Sequence, residues 1–69
     1  MLVRINGKQE DVQAATLGDL LQSKNIEPQM VSVELNNTMI DRANLADAPL
    51  KEGDSVELLF FMGGGSFAT

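Results

Sequence analysis

Residues 1–21 read MLVRINGKQEDVQAATLGDLL, and three patterns succeed one another inside them. Met1, Val3 and Ile5 alternate with Leu2 and Arg4, the two-residue period of a strand with one buried face. Asn6-Gly7 comes next, and both residue types accept the positive φ that a type I′ hairpin turn needs at its centre. Residues 8–13 form the returning strand. They are polar apart from Val12, which suits a sheet edge where charge discourages pairing with another chain. At Thr16 the period changes. Leu17, Leu20 and Leu21 fall at i, i+3 and i+4, one face of a helix. Thr16 offers a capping hydroxyl, and Asp19 a negative charge near the positive helix end. Gly18 is a weak helix former in that first turn. Lys24 suits the far end and Pro28 forbids much extension, so the predicted helix stops near residues 24–25.

Working downstream, residues 30–35 alternate again, with Val31, Val33 and Leu35 set against Ser32 and Glu34. Asn36-Asn37 makes a turn, because asparagine tolerates the left-handed region. Residues 38–41 form a short strand, and residues 42–49 a loop with one helical turn. Leu45 and Leu50 are expected to plug the base of the core. Lys51-Glu52-Gly53-Asp54 is a turn with Gly53 at positive φ, and residues 55–62 are the last strand. With one main helix, the compact solution is to lay its leucine stripe across one face of a mixed sheet of four to five strands. Hairpin, crossover helix and further strands is the order of the β-grasp, or ubiquitin-like, α+β fold. The expected layout is one domain over residues 1–65, ending in a glycine tail, with residues 66–69 as an extension.

Composition narrows the chemistry. A chain of 69 residues has a thin core and little room to wall a substrate off from water. It contains no cysteine and no histidine, which removes disulfides, thiolate nucleophiles, histidine bases, iron–sulfur clusters and typical zinc sites together. Neither a metal nor a cofactor of its own is expected. Asp41 and Asp47 lack a third ligand at useful spacing and read as solvated loop carboxylates. Met30, Met39 and Met62 read as core filler or patch edge, and Arg42 as the surface partner of an acidic neighbour. The net charge of −5 argues against nucleic acid, which is bound through Lys and Arg. It favours a basic protein partner, or serves solubility alone. No run approaches the roughly 20 apolar residues of a membrane span, and the first residues carry too short an apolar run for a signal peptide. A cytoplasmic location is the expectation.

The last strand and the glycines after it hold the candidate site. Val56, Leu58 and Phe60 alternate with Glu57, Leu59 and Phe61. If the helix covers the first set, Leu59 and Phe61 are exposed on the other face as a docking patch, with Glu57 and Met62 beside them. The alternative is that loops or dimerisation cover both faces in part. Gly63, Gly64 and Gly65 then supply an arm without side chains, able to enter a narrow channel in another protein and keep water from an activated intermediate. Glycine runs also mark linkers and frayed ends.

Val33-Glu34-Leu35-Asn36, Lys51-Glu52-Gly53-Asp54 and the hydrophobic strand running into Gly64-Gly65 resemble the bacterial sulfur carriers of thiamine biosynthesis, the ThiS family, relatives of the molybdopterin-synthase small subunit MoaD. The first strand, the Asn6-Gly7 turn and the Thr16 helix also fit, so the resemblance covers nearly the whole chain up to Gly65. It implies a carrier that is not itself a catalyst. An E1-like adenylating enzyme of the ThiF/MoeB type, using ATP-Mg, would activate the carboxylate of Gly65. Sulfur derived from cysteine through a desulfurase would then displace AMP to give a thiocarboxylate. A sulfur-acceptor enzyme such as thiazole synthase would take the sulfur, and Leu59 and Phe61 would lie where partners dock.

The chain departs from the family at its end, because Ser66-Phe67-Ala68-Thr69 come after Gly65 and hold it in a peptide bond. Three explanations stand. The chain is a precursor trimmed by a protease of the JAMM type, the four residues are an artefact, or the protein is a ubiquitin-like interaction module. Trimmed relatives often serve amino-acid (cysteine, homocysteine) or siderophore synthesis, and molybdopterin synthesis uses the same tail chemistry.

Overall fold

The opening alternation is realised in β1 (Leu2–Ile5), which buries Val3 and Ile5 and leaves Leu2 and Arg4 outside. The computed structural model describes residues 1–61. After β1 come β2 (Lys8–Asp11), α1 (Leu17–Ser23), a 3₁₀ turn (Pro28–Met30), β3 (Val31–Leu35), β4 (Thr38–Met39), α2 (Arg42–Leu45) and β5 (Ser55–Phe60). Asn6 and Gly7 hold φ of 50° and 85°, and Asn36 and Asn37 hold 52° and 71°, so the two hairpins close through the same left-handed pair of residues.

The strands build one mixed sheet in the order β2-β1-β5-β3-β4. β5 runs through its centre, parallel to β1 with Ile5 opposite Val56, and antiparallel to β3 with Val33 opposite Leu58. β2 sits at the edge that its polarity called for. With α1 packed against one face, this is the β-grasp arrangement.

Leu17, Leu20 and Leu21 are at most 1% exposed and fill the space between α1 and the sheet. Around them lie Val3, Ile5, Val31, Val33, Val56 and Leu58, with Leu45 and Leu50 closing the base as expected. The whole core is aliphatic: no phenylalanine among the described residues enters it.

Both ends of α1 are capped by side chains or by a specific turn. Thr16 Oγ1 accepts from the Asp19 amide at 3.1 Å, and Asp19 Oδ2 accepts from the Ala15 amide at 3.4 Å. At the far end Asn25 takes φ of 58°. Its amide donates to Gln22 O at 3.0 Å and the next amide, of Ile26, to Leu21 O at 2.9 Å, the paired bonds of a Schellman motif with asparagine in the glycine place.

Gly18 has a reason that helix propensity does not reveal. A Cβ there would lie 2.7 Å from the Ala46 carbonyl oxygen and 2.8 Å from its Cα, so the first turn of α1 crosses the end of α2 where only hydrogen fits. Several expected boundaries move: β2 ends at Asp11 and not at residue 13, and β4 at Met39 and not at residue 41. Met30 belongs to the 3₁₀ turn begun by Pro28 and not to β3, and β5 stops at Phe60.

Candidate functional site

β5 has two unlike halves. Its first part is clamped between β1 and β3. Asn6 donates its amide to Val56 O at 2.9 Å, and the Asn6 side-chain Oδ1 accepts from the Leu58 amide at 2.7 Å. The side-chain carbonyl thereby stands in for the main-chain carbonyl that β1, turning away at Asn6, cannot supply. Beyond Leu58 the β1 side of the strand is open, and only β3 continues: Ser32 lies opposite Leu59, Val31 opposite Phe60, and the Phe61 amide donates to Met30 O at 3.0 Å.

This explains a correction. Phe60 shares the core-facing register with Val56 and Leu58, yet it is 52% exposed while they are 0% and 6%. α1 ends at Ser23 and β1 at Ile5, so neither element reaches far enough to cover it. Leu59 and Phe61, expected on the opposite face, are exposed there at 47% and 49%. Three consecutive large apolar side chains therefore wrap both faces of the sheet at the end of β5. The period-2 pattern had divided them into one buried and two exposed.

On the outer face, β3 and β5 place Glu34 directly opposite Glu57, with Met39 opposite Glu34 on the far side. Like charges facing each other across neighbouring strands repel. Neither glutamate is in an ion pair among the described residues, where the two ion pairs are Lys24 with Glu10 at 2.9 Å and the N-terminal amine with Asp11 at 3.2 Å. A basic side chain arriving from a partner would find two acceptors and an apolar border of Leu59 and Met39, the latter 53% exposed.

Met30 and Met39 are patch edge rather than core filler, both being exposed. Arg42 corrects another expectation. Among the described residues its guanidinium pairs with no carboxylate. Instead Nη1 donates to Pro28 O, lies 3.5 Å from Val31 O, and the group sits 5.9 Å from the centre of the Phe61 ring. Asp41 and Asp47 are exposed loop residues, and no three carboxylates gather among the described residues. Met62, Gly63, Gly64 and Gly65, with residues 66–69, lie outside the described residues. No described helix is long and apolar enough to cross a membrane.

An open groove between α1 and α2, bordered by Gly18, Gln22, Ile26, Pro28, Arg42 and Ala46, offers no nucleophile–base pair, since the chain has neither cysteine nor histidine. Phe60, Arg42 and the Asn6 side chain are the elements that reading the sequence missed. Only the unusual asparagine at the end of a strand that stops early hinted at any of them.

Residues 2–65 match the model of the ThiS family. The chain is 33% identical over 64 residues to the sulfur carrier protein ThiS of Thermus thermophilus, covering 93% of this chain and 100% of that protein. It is 33% identical over 66 residues to a thiazole synthase of Magnetococcus marinus, covering 94% of this chain but 20% of that longer protein. Among solved structures, the crystal structure of the thiamine biosynthesis protein ThiS from Geobacter metallireducens superposes with a TM-score of 0.78 at 36% identity, over 94% of this chain and 100% of that one.

Proposed function

The chain belongs to the ThiS family, small sulfur carriers that are not themselves catalysts, and from that premise we propose that Gly65 carries sulfur as a thiocarboxylate for thiazole formation in thiamine biosynthesis. The observation that carries this reading is the exposed Leu59–Phe61 run at the end of the central strand, which leads directly into Gly63-Gly64-Gly65. On this reading Leu59, Phe60 and Phe61 would serve as an apolar grip for an enzyme, with the glycine arm following Met62 in the sequence.

The chemistry proceeds in balanced steps. A Gly65 carboxylate oxygen attacks the α-phosphorus of ATP held with Mg²⁺ by an E1-like enzyme, and pyrophosphate leaves. The product is an acyl adenylate, a far better electrophile than a carboxylate because AMP is a good leaving group. A sulfide-level nucleophile then adds to the carbonyl and expels AMP, leaving the thiocarboxylate. The carrier contributes position and an unhindered carbonyl; the enzyme contributes the phosphate and metal binding. The name of the Magnetococcus marinus relative, thiazole synthase, supports an enzyme of that class as acceptor.

Gly65 must first be freed from Ser66, which a JAMM-type protease would do by hydrolysing that one peptide bond. Among the described residues, the buried core runs from Val3 to Leu58, ahead of the bond to be cut. The extension also favours a second reading, delivery to an amino-acid, siderophore or molybdopterin pathway by the same tail chemistry.

The deciding experiment incubates chain ending at Gly65 with an E1-like enzyme, ATP-Mg and sulfide, with mass spectrometry as the readout. The expected product has one tail oxygen replaced by sulfur, and Gly64→Val blocks its formation. Protein that keeps its original mass throughout would mark the chain as an interaction module.

A further inference from the structure

We infer that Arg42 is a positioning residue that fixes the Phe61 ring, and with it the direction in which the chain leaves the sheet four residues before Gly65. The inference rests on the reading of Gly65 as the reacting end for its purpose, but not for its physical content.

Arg42 is misplaced for any simpler role. It opens α2, a single turn of four residues. It is exposed on a chain with ten carboxylates, yet pairs with none among the described residues. Its contacts form a closed circuit instead. The guanidinium edge donates to Pro28 O and faces Val31 O at 3.5 Å, carbonyls that flank Met30 on either side. Met30 O in turn receives the Phe61 amide at 3.0 Å. The Phe61 ring then returns to within 5.9 Å of the same guanidinium.

A guanidinium donates from a rigid planar fork that can span two carbonyls while its carbon lies over a ring, whereas an ammonium on a flexible stem holds such an arrangement less firmly. Phe61 lies past the end of β5, where β1 no longer flanks the strand, so little else holds it. Arg42 thus supplies a second point of attachment where the sheet itself has run out. An arm that begins in a fixed direction loses less freedom on entering a channel than one that begins loose.

Two measurements test this. In the full chain, amide exchange and ¹⁵N relaxation are read at Phe61 and, as controls, at Val33 and Leu58. Arg42→Ala and Arg42→Lys should each lower protection of the Phe61 amide by about three- to ten-fold, leaving the controls unchanged. A Phe61 amide equally protected in both variants overturns the inference, whether or not the protein carries sulfur. In chain ending at Gly65, the turnover rate of sulfur loading is then compared for Arg42→Ala, Phe61→Leu and the double variant. If Arg42 acts through Phe61, the double variant is no slower than Phe61→Leu alone. Fully additive losses would assign Arg42 a general structural role and overturn the inference. If the parent chain takes up no sulfur, the carrier reading fails while the amide measurement still decides the role of Arg42.

Discussion

The two halves of β5 share one strand and almost opposite environments. Val56 and Leu58 sit between two neighbouring strands under the leucines of α1, and are all but sealed from water. Leu59, Phe60 and Phe61, immediately after them, have a strand on one side only and are about half exposed. Burial of apolar area is the main favourable term in folding, so the first half contributes stability and the second contributes little. The largest side chains of the strand are on the half that does not stabilise the domain. Phe60 and Phe61 stay outside a core built from leucine, isoleucine, valine and alanine, and large exposed apolar side chains grouped in this way are the kind that partners contact.

The sharpest way to break this contrast is to shorten one leucine in each half. Leu58→Ala is expected to cost about 2–5 kcal/mol in denaturant unfolding, a large share of the stability of so small a domain. Leu59→Ala should cost less than about 1 kcal/mol in the same measurement. If the two costs prove alike, the halves do not differ as their exposure implies. Next in size comes the effect on partners. Phe61→Ala is expected to weaken binding to the activating enzyme by about 2 kcal/mol, some thirty-fold, in calorimetric titration, with unfolding nearly unchanged.

The border between the halves can itself be moved. Asn6→Gly keeps the φ of 50° accessible but removes the oxygen that accepts from the Leu58 amide, and should cost about 1–2 kcal/mol. Faster amide exchange at Leu58, without change at Val56, would locate the loss. The smallest effect concerns charge. Glu57→Gln removes the repulsion with Glu34 and should stabilise the domain by a few tenths of a kcal/mol. It should also slow association with a basic partner at low salt, and stopped-flow rates that do not depend on ionic strength would rule out steering by this face.

Much of the architecture was legible because its causes are local. Asn6-Gly7 and Asn36-Asn37 announce their turns through residues that tolerate positive φ, and Thr16 with three leucines announces a capped helix packed on one side. What stayed hidden depends on where other elements stop. Phe60 obeys the alternation of a buried position, and its exposure comes from the early ends of β1 and α1, which no pattern within β5 encodes. Gly18 looks like a blemish in a helix until Ala46 is seen against it. Arg42 looks like an ordinary surface cation, because its partners are main-chain carbonyls and a ring from two other segments. Leu59 and Phe61 were legible as exposed and the three glycines after Met62 as an arm without side chains, whereas the sulfur chemistry proposed for that arm was legible only by resemblance.

Among the described residues β5 is the last strand in chain order and yet the middle one of the sheet. While the chain is being synthesised, β1 and β3 have no common neighbour, and the leucines of α1 have no finished floor to rest on. The domain closes only when the segment that slots between them has emerged, a pairing distant in sequence and therefore slow to form. A chain that stops short of β5 lacks Leu59, Phe60 and Phe61 altogether. The order of the strands thus acts as an inspection step, in which only chains that carry all five strands present the exposed end of β5.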